Sequence, residues 1–79
     1  SKSIELLLIN RLNQTNINSY IYNDIIAFLI SINSVKVIPY IENMLLTQNS
    51  VDNEIYLALK NNSSKNLTKL RKMMLEKFE

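Results

Sequence analysis

The chain has 79 residues, of which 47% are apolar and 20% are charged, and it contains no His, Cys or Gly. This is the composition of one small globular domain rather than of a disordered segment. Without His and Cys, a Ser-His-acid triad, a Cys-His pair, a disulfide and a His or thiolate metal site are all excluded. Without Gly there is no glycine-rich phosphate loop. We therefore expect a non-catalytic protein with no cofactor and no small-molecule substrate.

The dipeptide Asn-Ser occurs four times and divides the chain into segments of helix length. In the absence of Gly, Asn is the best remaining residue for a left-handed helix exit, and Ser is a good N-cap. Pro39 fits the first turn of a helix, where a missing N–H costs little. Residues 1–79 are thus predicted to form a single all-α domain, a compact bundle of about five short helices, at about 3–13, 19–32, 37–48, 51–60 and 65–78.

The first predicted helix carries more apolar residues than one buried face requires. A helical period of 3.6 residues places four of them on a shared, core-facing side: Ile4, Leu7, Leu8 and Leu12. Leu6 and Ile9 point away from that side. This excess indicates contact with a second protein chain, either a different partner or a second copy of this one.

The second predicted helix is apolar over more than half of its circumference, and two stripes account for this. The first, predicted to face the core, consists of Ile21, Ile25, Phe28 and Ile32. The second lies about 120° away on the helix and consists of Tyr22, Ile26 and Ile30. Two interpretations stay open: a central helix covered on two sides by its own bundle, or a second stripe that docks a partner. For partner binding the first candidates are Tyr22, Ile26 and Ile30, and Leu6 and Ile9 are the second.

The last predicted helix combines an apolar stripe with a basic side. The stripe consists of Leu67, Leu70, Met74 and Phe78, and Lys65, Lys69 and Lys72 lie opposite to it. Such a basic row is typical of a solvated face. The alternative function is weak nucleic-acid binding in which these three lysines contact phosphates without reading bases.

Neither a catalytic acid pair nor a membrane span is predicted. Asp52 and Glu54 lie at the expected start of the fourth helix, where the helix dipole stabilises acids, and two residues apart they do not share a face. Charged residues and Pro39 interrupt the apolar stretch 20–46 well before the roughly 20 apolar residues that a span requires. We expect a protein partner and no membrane.

Two short segments give the chain a family resemblance. Ile21-Tyr22 followed by Ile25-Ile26, and the closing "LRKMMLE" at 70–76, resemble the conserved C-terminal domain of the scaffold subunit of the structure-specific endonuclease that pairs with a GIY-YIG nuclease. The resemblance covers about a third of the chain. It implies a small helical module that docks on the nuclease subunit and enables its activity in DNA repair. It also implies a nuclear location, and without it the chain is expected only to be intracellular.

A second resemblance concerns apolar spacing in the second half of the chain. That spacing is similar to the N-terminal helical module of transcription elongation factors, and it is carried by Leu45-Leu46, Val51, Ile55, Leu67, Leu70, Met74, Leu75 and Phe78. The resemblance implies a nuclear bundle that binds disordered partner motifs. Both families are non-catalytic, all-helical and protein-binding.

Overall fold

The computed structural model describes residues 2–79 and confirms the all-α bundle of five short helices. Their bounds are α1 Lys2–Asn13, α2 Tyr20–Ser31, α3 Ile38–Thr47, α4 Asn53–Lys60 and α5 Thr68–Phe78. A short 3₁₀ turn, Lys65–Leu67, precedes α5. The last helix was predicted to begin at this turn. Every predicted boundary lies within three residues of the observed one, because the helix breaks are encoded locally.

The Asn-Ser dipeptides mark the helix breaks, but each uses different chemistry. Ser19 caps α2 by accepting a hydrogen bond from the Tyr22 N–H. Asn33 has a φ of 60°, the single left-handed residue within 2–79, and so ends α2 as Gly does elsewhere. At the other two breaks Asp52 caps α4 and Ser64 caps the 3₁₀ turn, so the predicted serine caps are displaced by one or two residues. Pro39 lies in the first turn of α3, as predicted.

Helix α2 is the central element and packs most extensively against α4. The two helices run parallel: Glu54 in the first turn of α4 lies beside Asp24 of α2. At the other end, the Asn62 side-chain amide donates to the Ile30 carbonyl oxygen at 2.9 Å. Helix α4 therefore covers the side of α2 that carries Ala27, which is buried.

This placement of α4 reverses the predicted faces of α2. Tyr22, Ile26 and Ile30, proposed from sequence as partner-binding residues, are 6%, 0% and 0% exposed and belong to the core. Of the stripe predicted to be core, only Ile25 is buried, and the other three are exposed: Ile21, Phe28 and Ile32. The two stripes are equally apolar, so periodicity could identify both but could not assign either to the interior. The packing of α4 against one side decided the assignment.

The apolar stripe of α5 was predicted correctly. Leu67, Leu70 and Met74 are buried, and Phe78 packs half-buried against the same core. Lys77, in the last turn of α5, donates to the carbonyl oxygens of Leu45 and Gln48. At this position the lysine donates hydrogen bonds to carbonyl groups that have no partner within α3. Its positive charge also complements the negative end of the α3 dipole. The C-terminal ends of α3 and α5 are joined in this way.

The reversed faces of α2 lead to a paired prediction. Ile26→Glu places an unpaired carboxylate in a fully enclosed site, at a cost of about 5 kcal/mol or more. Because a domain of this kind is stable by only roughly 5–15 kcal/mol, we expect this variant to unfold. Phe28→Glu changes a residue that is 46% exposed, and we expect it to remain folded. Thermal unfolding followed by circular dichroism measures both, and two folded variants would contradict the assignment.

Candidate functional site

Helices α1 and α2 form an antiparallel hairpin that is held to the bundle by polar contacts. The Ser34 hydroxyl, just beyond α2, donates to the Glu5 carboxylate of α1 at 2.5 Å. At the other end of α1, the Tyr40 hydroxyl of α3 donates to the Asn13 side-chain oxygen at 2.6 Å. The Tyr40–Asn13 bond sets which side of α1 faces α3, and the Ser34–Glu5 bond holds the start of α1 to the end of α2.

The side of the hairpin that faces away from α3 is apolar and exposed. On α1 it carries Leu7, which is 69% exposed, one turn after the half-exposed Ile4. On α2 and its C-cap it carries the three residues that were predicted to be core: Ile21, Phe28 and Ile32. Because the helices are antiparallel, Leu7 lies near the end of α2 that bears Phe28 and Ile32. We call Leu7, Ile21, Phe28 and Ile32 the hairpin apolar surface.

The predicted second-choice contact residues of α1 do not belong to this surface. Ile9 is half-buried and packs against the core. Leu6 is 48% exposed but lies about 100° from Leu7 on the helix, two turns before Asn13 on the side that faces α3. Of the four residues predicted to face the core from α1, only Leu12 is buried, and Leu8 is half-buried. The sequence therefore predicted an apolar excess on the first two helices, but of its five candidate contact residues only Leu6 is exposed.

A separate notch lies on the α3 side of the bundle. It has a volume of about 330 Å³, and Tyr22, Pro39, Tyr40 and Asn43 line it. Tyr22 is deeply buried, and none of the residues 2–79 is hydrogen-bonded to its hydroxyl. Within residues 2–79, no side-chain nitrogen or oxygen that is closed off from solvent lacks a hydrogen-bond partner. Because the Tyr22 hydroxyl has no partner among these residues, it must reach solvent, and it does so through the notch that it lines.

The basic residues of the C-terminal segment fall into two groups. Lys60 pairs with Glu79 at 3.2 Å, Arg71 donates to the Asn62 carbonyl oxygen and Lys77 caps α3. The second group consists of the three lysines predicted as alternative phosphate contacts, Lys65, Lys69 and Lys72. These are exposed and have no partner among the described residues. The sequence did not separate the two groups, because hydrogen bonds to distant backbone carbonyls have no local pattern.

The acidic residues near the start of α4 have structural roles. Asp52 is the N-cap and accepts from the Glu54 N–H at 3.0 Å. Glu54 lies beside Asp24 of α2, and a hydrogen bond between these carboxyl groups, which requires a proton, raises the pKa of Glu54. Partial loss of hydration and the charges of Asp24 and Asp52 raise it further. Within residues 2–79 no three potential metal-ligating side chains come together.

Comparison with known proteins assigns neither a family nor a function to the chain. No protein-family model, curated protein or solved structure matches this chain significantly. Across residues 2–79, none of the helices has the length and apolar character needed to cross a membrane. The function of the chain must therefore be argued from the surfaces described above.

The Asp24–Glu54 contact predicts a pH-dependent effect on stability. Because the folded-state pKa of Glu54 is raised above its usual 4.5, the stabilising protonated contact is fully present below that value and is lost as pH rises through the folded-state pKa. Glu54→Gln should therefore raise the urea midpoint near neutral pH and leave it almost unchanged at about pH 3.

Urea unfolding at the two pH values measures this effect, with Glu76→Gln, which removes an exposed acid from α5, as the control. The attraction of the α4 dipole for an acid in the first turn opposes the repulsion from Asp24 and Asp52. A lower midpoint for Glu54→Gln near neutral pH would mean that the dipole dominates, contrary to our prediction.

Proposed function

We propose that this chain is a non-catalytic helical interaction module that docks a protein partner through the hairpin apolar surface. The observation that carries the proposal is the uneven distribution of exposed apolar side chains over residues 2–79. Leu46 and Leu57 are the only large ones exposed after residue 35, and the others lie on α1, α2 and their flanking turns. A concentration of exposed apolar side chains on two neighbouring helices is typical of an interaction site.

The bundle itself supports this reading, because it is complete without the hairpin apolar surface. Its core already encloses residues from every helix, among them Leu12, Ile26, Ile41, Ile55 and Met74. The exposed residues of α1 and α2 therefore do not contribute to the interior of their own domain. A partner that covers Leu7 and Phe28 would remove apolar area from water, which favours association by about 25 cal/mol per Å² before the costs of binding.

The first candidate partner is the one that the scaffold-subunit resemblance names, a GIY-YIG nuclease subunit, with the chain acting in the nucleus during DNA repair. Five of the residues that carry this resemblance belong to the buried core: Tyr22, Ile25, Ile26, Leu70 and Met74. Ile21 is exposed and belongs to the proposed docking surface. The resemblance thus supports a shared type of bundle more strongly than a shared partner, and the same holds for the elongation-factor module.

A second function, weak nucleic-acid binding, is favoured by one observation. Lys65, Lys69 and Lys72 are exposed and unpaired within the described chain, while the other basic residues of the C-terminal segment are engaged. Three exposed cations within eight residues of the chain suit phosphate groups, but they give no means of distinguishing bases.

Site-specific photo-crosslinking tests the docking proposal. A photoreactive phenylalanine analogue is placed at position 7 or 28, and the chain is incubated first with a purified GIY-YIG nuclease subunit and then with extract of the source cells. We expect both positions to give the same adduct. The control position is 46, because Leu46 is 74% exposed but lies on α3, outside the docking surface.

Binding of the identified partner is then measured by calorimetry. Phe28→Asp should weaken it at least tenfold, the range expected for an apolar contact near the centre of an interface, and Leu46→Asp should not. If the adduct is a second copy of this chain, sedimentation should show self-association that Phe28→Asp abolishes. Adducts from position 46 alone, or equal affinities for the two variants, would contradict the proposal.

The nucleic-acid alternative predicts a steep dependence of binding on salt. Neutralising about three phosphates gives a slope of log K against log salt near −3, and replacing one of the three lysines with Gln should reduce its magnitude by about one. Fluorescence anisotropy with a labelled DNA duplex measures the slope. Lys77→Gln, at a lysine that is engaged with α3, is the matched control. No binding at low salt would remove this alternative.

A further inference from the structure

We infer that the notch between α2 and α3 is a second binding site, which takes a proline-rich peptide in an extended polyproline conformation. The site goes beyond the proposed docking function. It lies on the side of the hairpin toward α3, whereas the hairpin apolar surface faces away from α3. The inference depends on the rings that form the notch, on its unpaired polar groups and on its lack of charge.

The rings define the shape of ligand that the notch can hold. Tyr22, Tyr40 and Pro39 supply three flat or nearly flat apolar surfaces around an open space of about 330 Å³. This volume is at the lower end of the range for ligand pockets, and the notch is open on its outer side. It therefore suits a segment that passes across it better than a molecule that must be enclosed. Proline rings pack well against such aromatic walls.

The polar groups define the chemistry of the ligand. The Tyr22 hydroxyl, on a side chain more than nine-tenths buried, reaches the notch without a partner among the described residues. The Asn43 side-chain amide is likewise free of partners in residues 2–79, while Tyr40 donates its proton to Asn13 and keeps acceptor capacity. Burial raises the pKa of Tyr22, so its hydroxyl remains a donor across the neutral range.

The absence of charge from the lining selects among possible ligands. The four lining residues are two tyrosines, a proline and an asparagine, so an anionic or cationic group entering the notch would lose hydration without gaining a charged partner. A polyproline helix is neutral, and its carbonyl groups make no internal hydrogen bonds. These carbonyls can therefore accept from Tyr22 and Asn43 without breaking any structure in the peptide.

The experiment is an NMR titration of the isotope-labelled chain with a blocked oligoproline peptide, with a Gly-Ser peptide of equal length as control. We expect saturable shift changes centred on residues 22 and 39–43 with oligoproline alone. Tyr22→Phe keeps the ring and removes only the hydroxyl, and Asn43→Ala removes an exposed amide. Each should weaken binding by about fivefold, the value of one neutral hydrogen bond, while the spectrum remains that of a folded protein.

Phe28→Asp distinguishes this site from the hairpin apolar surface and should leave oligoproline affinity unchanged. Four results would overturn the inference: no shift changes at millimolar peptide, changes centred outside the notch, equal shifts with the Gly-Ser peptide, or unaltered affinity in both Tyr22→Phe and Asn43→Ala. None of these bears on docking through the hairpin, which is measured with a different partner and different variants.

Discussion

The packing of α4 along α2 is the constraint on which the rest of the structure depends. Ile26 and Ile30 of α2 are fully enclosed, and the hydrogen bonds of Asn62 to the Ile30 carbonyl oxygen and to Asn33 fix the ends of the two helices together. Helices α1 and α4 both pack on α2, and the side that neither of them covers faces outward. Phe28 and Ile32 are exposed there, which sets the position of the hairpin apolar surface.

Polar contacts over long sequence distances complete the fold in a chain too short for a large core. Ser34 to Glu5, Tyr40 to Asn13 and Lys77 to Gln48 each join segments that are 27 or more residues apart. Each one also fixes which side of its helix faces the segment that it contacts. The first two orient α1, and as a result they separate the apolar side of the hairpin from the notch that contains Tyr22.

The two proposed sites differ in the physical basis of recognition. The hairpin apolar surface offers area and few polar groups, so its partner must be recognised by shape and by burial of side chains such as Phe28. The notch offers little area but has an unpaired hydroxyl and an unpaired amide among rings, so its ligand must be recognised by hydrogen bonds and stacking. Under the two proposals, one small domain holds two different segments on separate surfaces.

The sequence by itself determined the helices, because caps, breaks and the period of 3.6 residues are local properties. The Asn-Ser breaks, Pro39 and the stripe of Leu67, Leu70 and Met74 could all be read without a structure. Tertiary packing alone decided which stripe of α2 is interior. Both stripes are apolar, and the free energy that separates them comes from helices distant in the chain. For the same reason the excess of apolar residues on α1 and α2 was predictable, while its location at Leu7 and Phe28 was not.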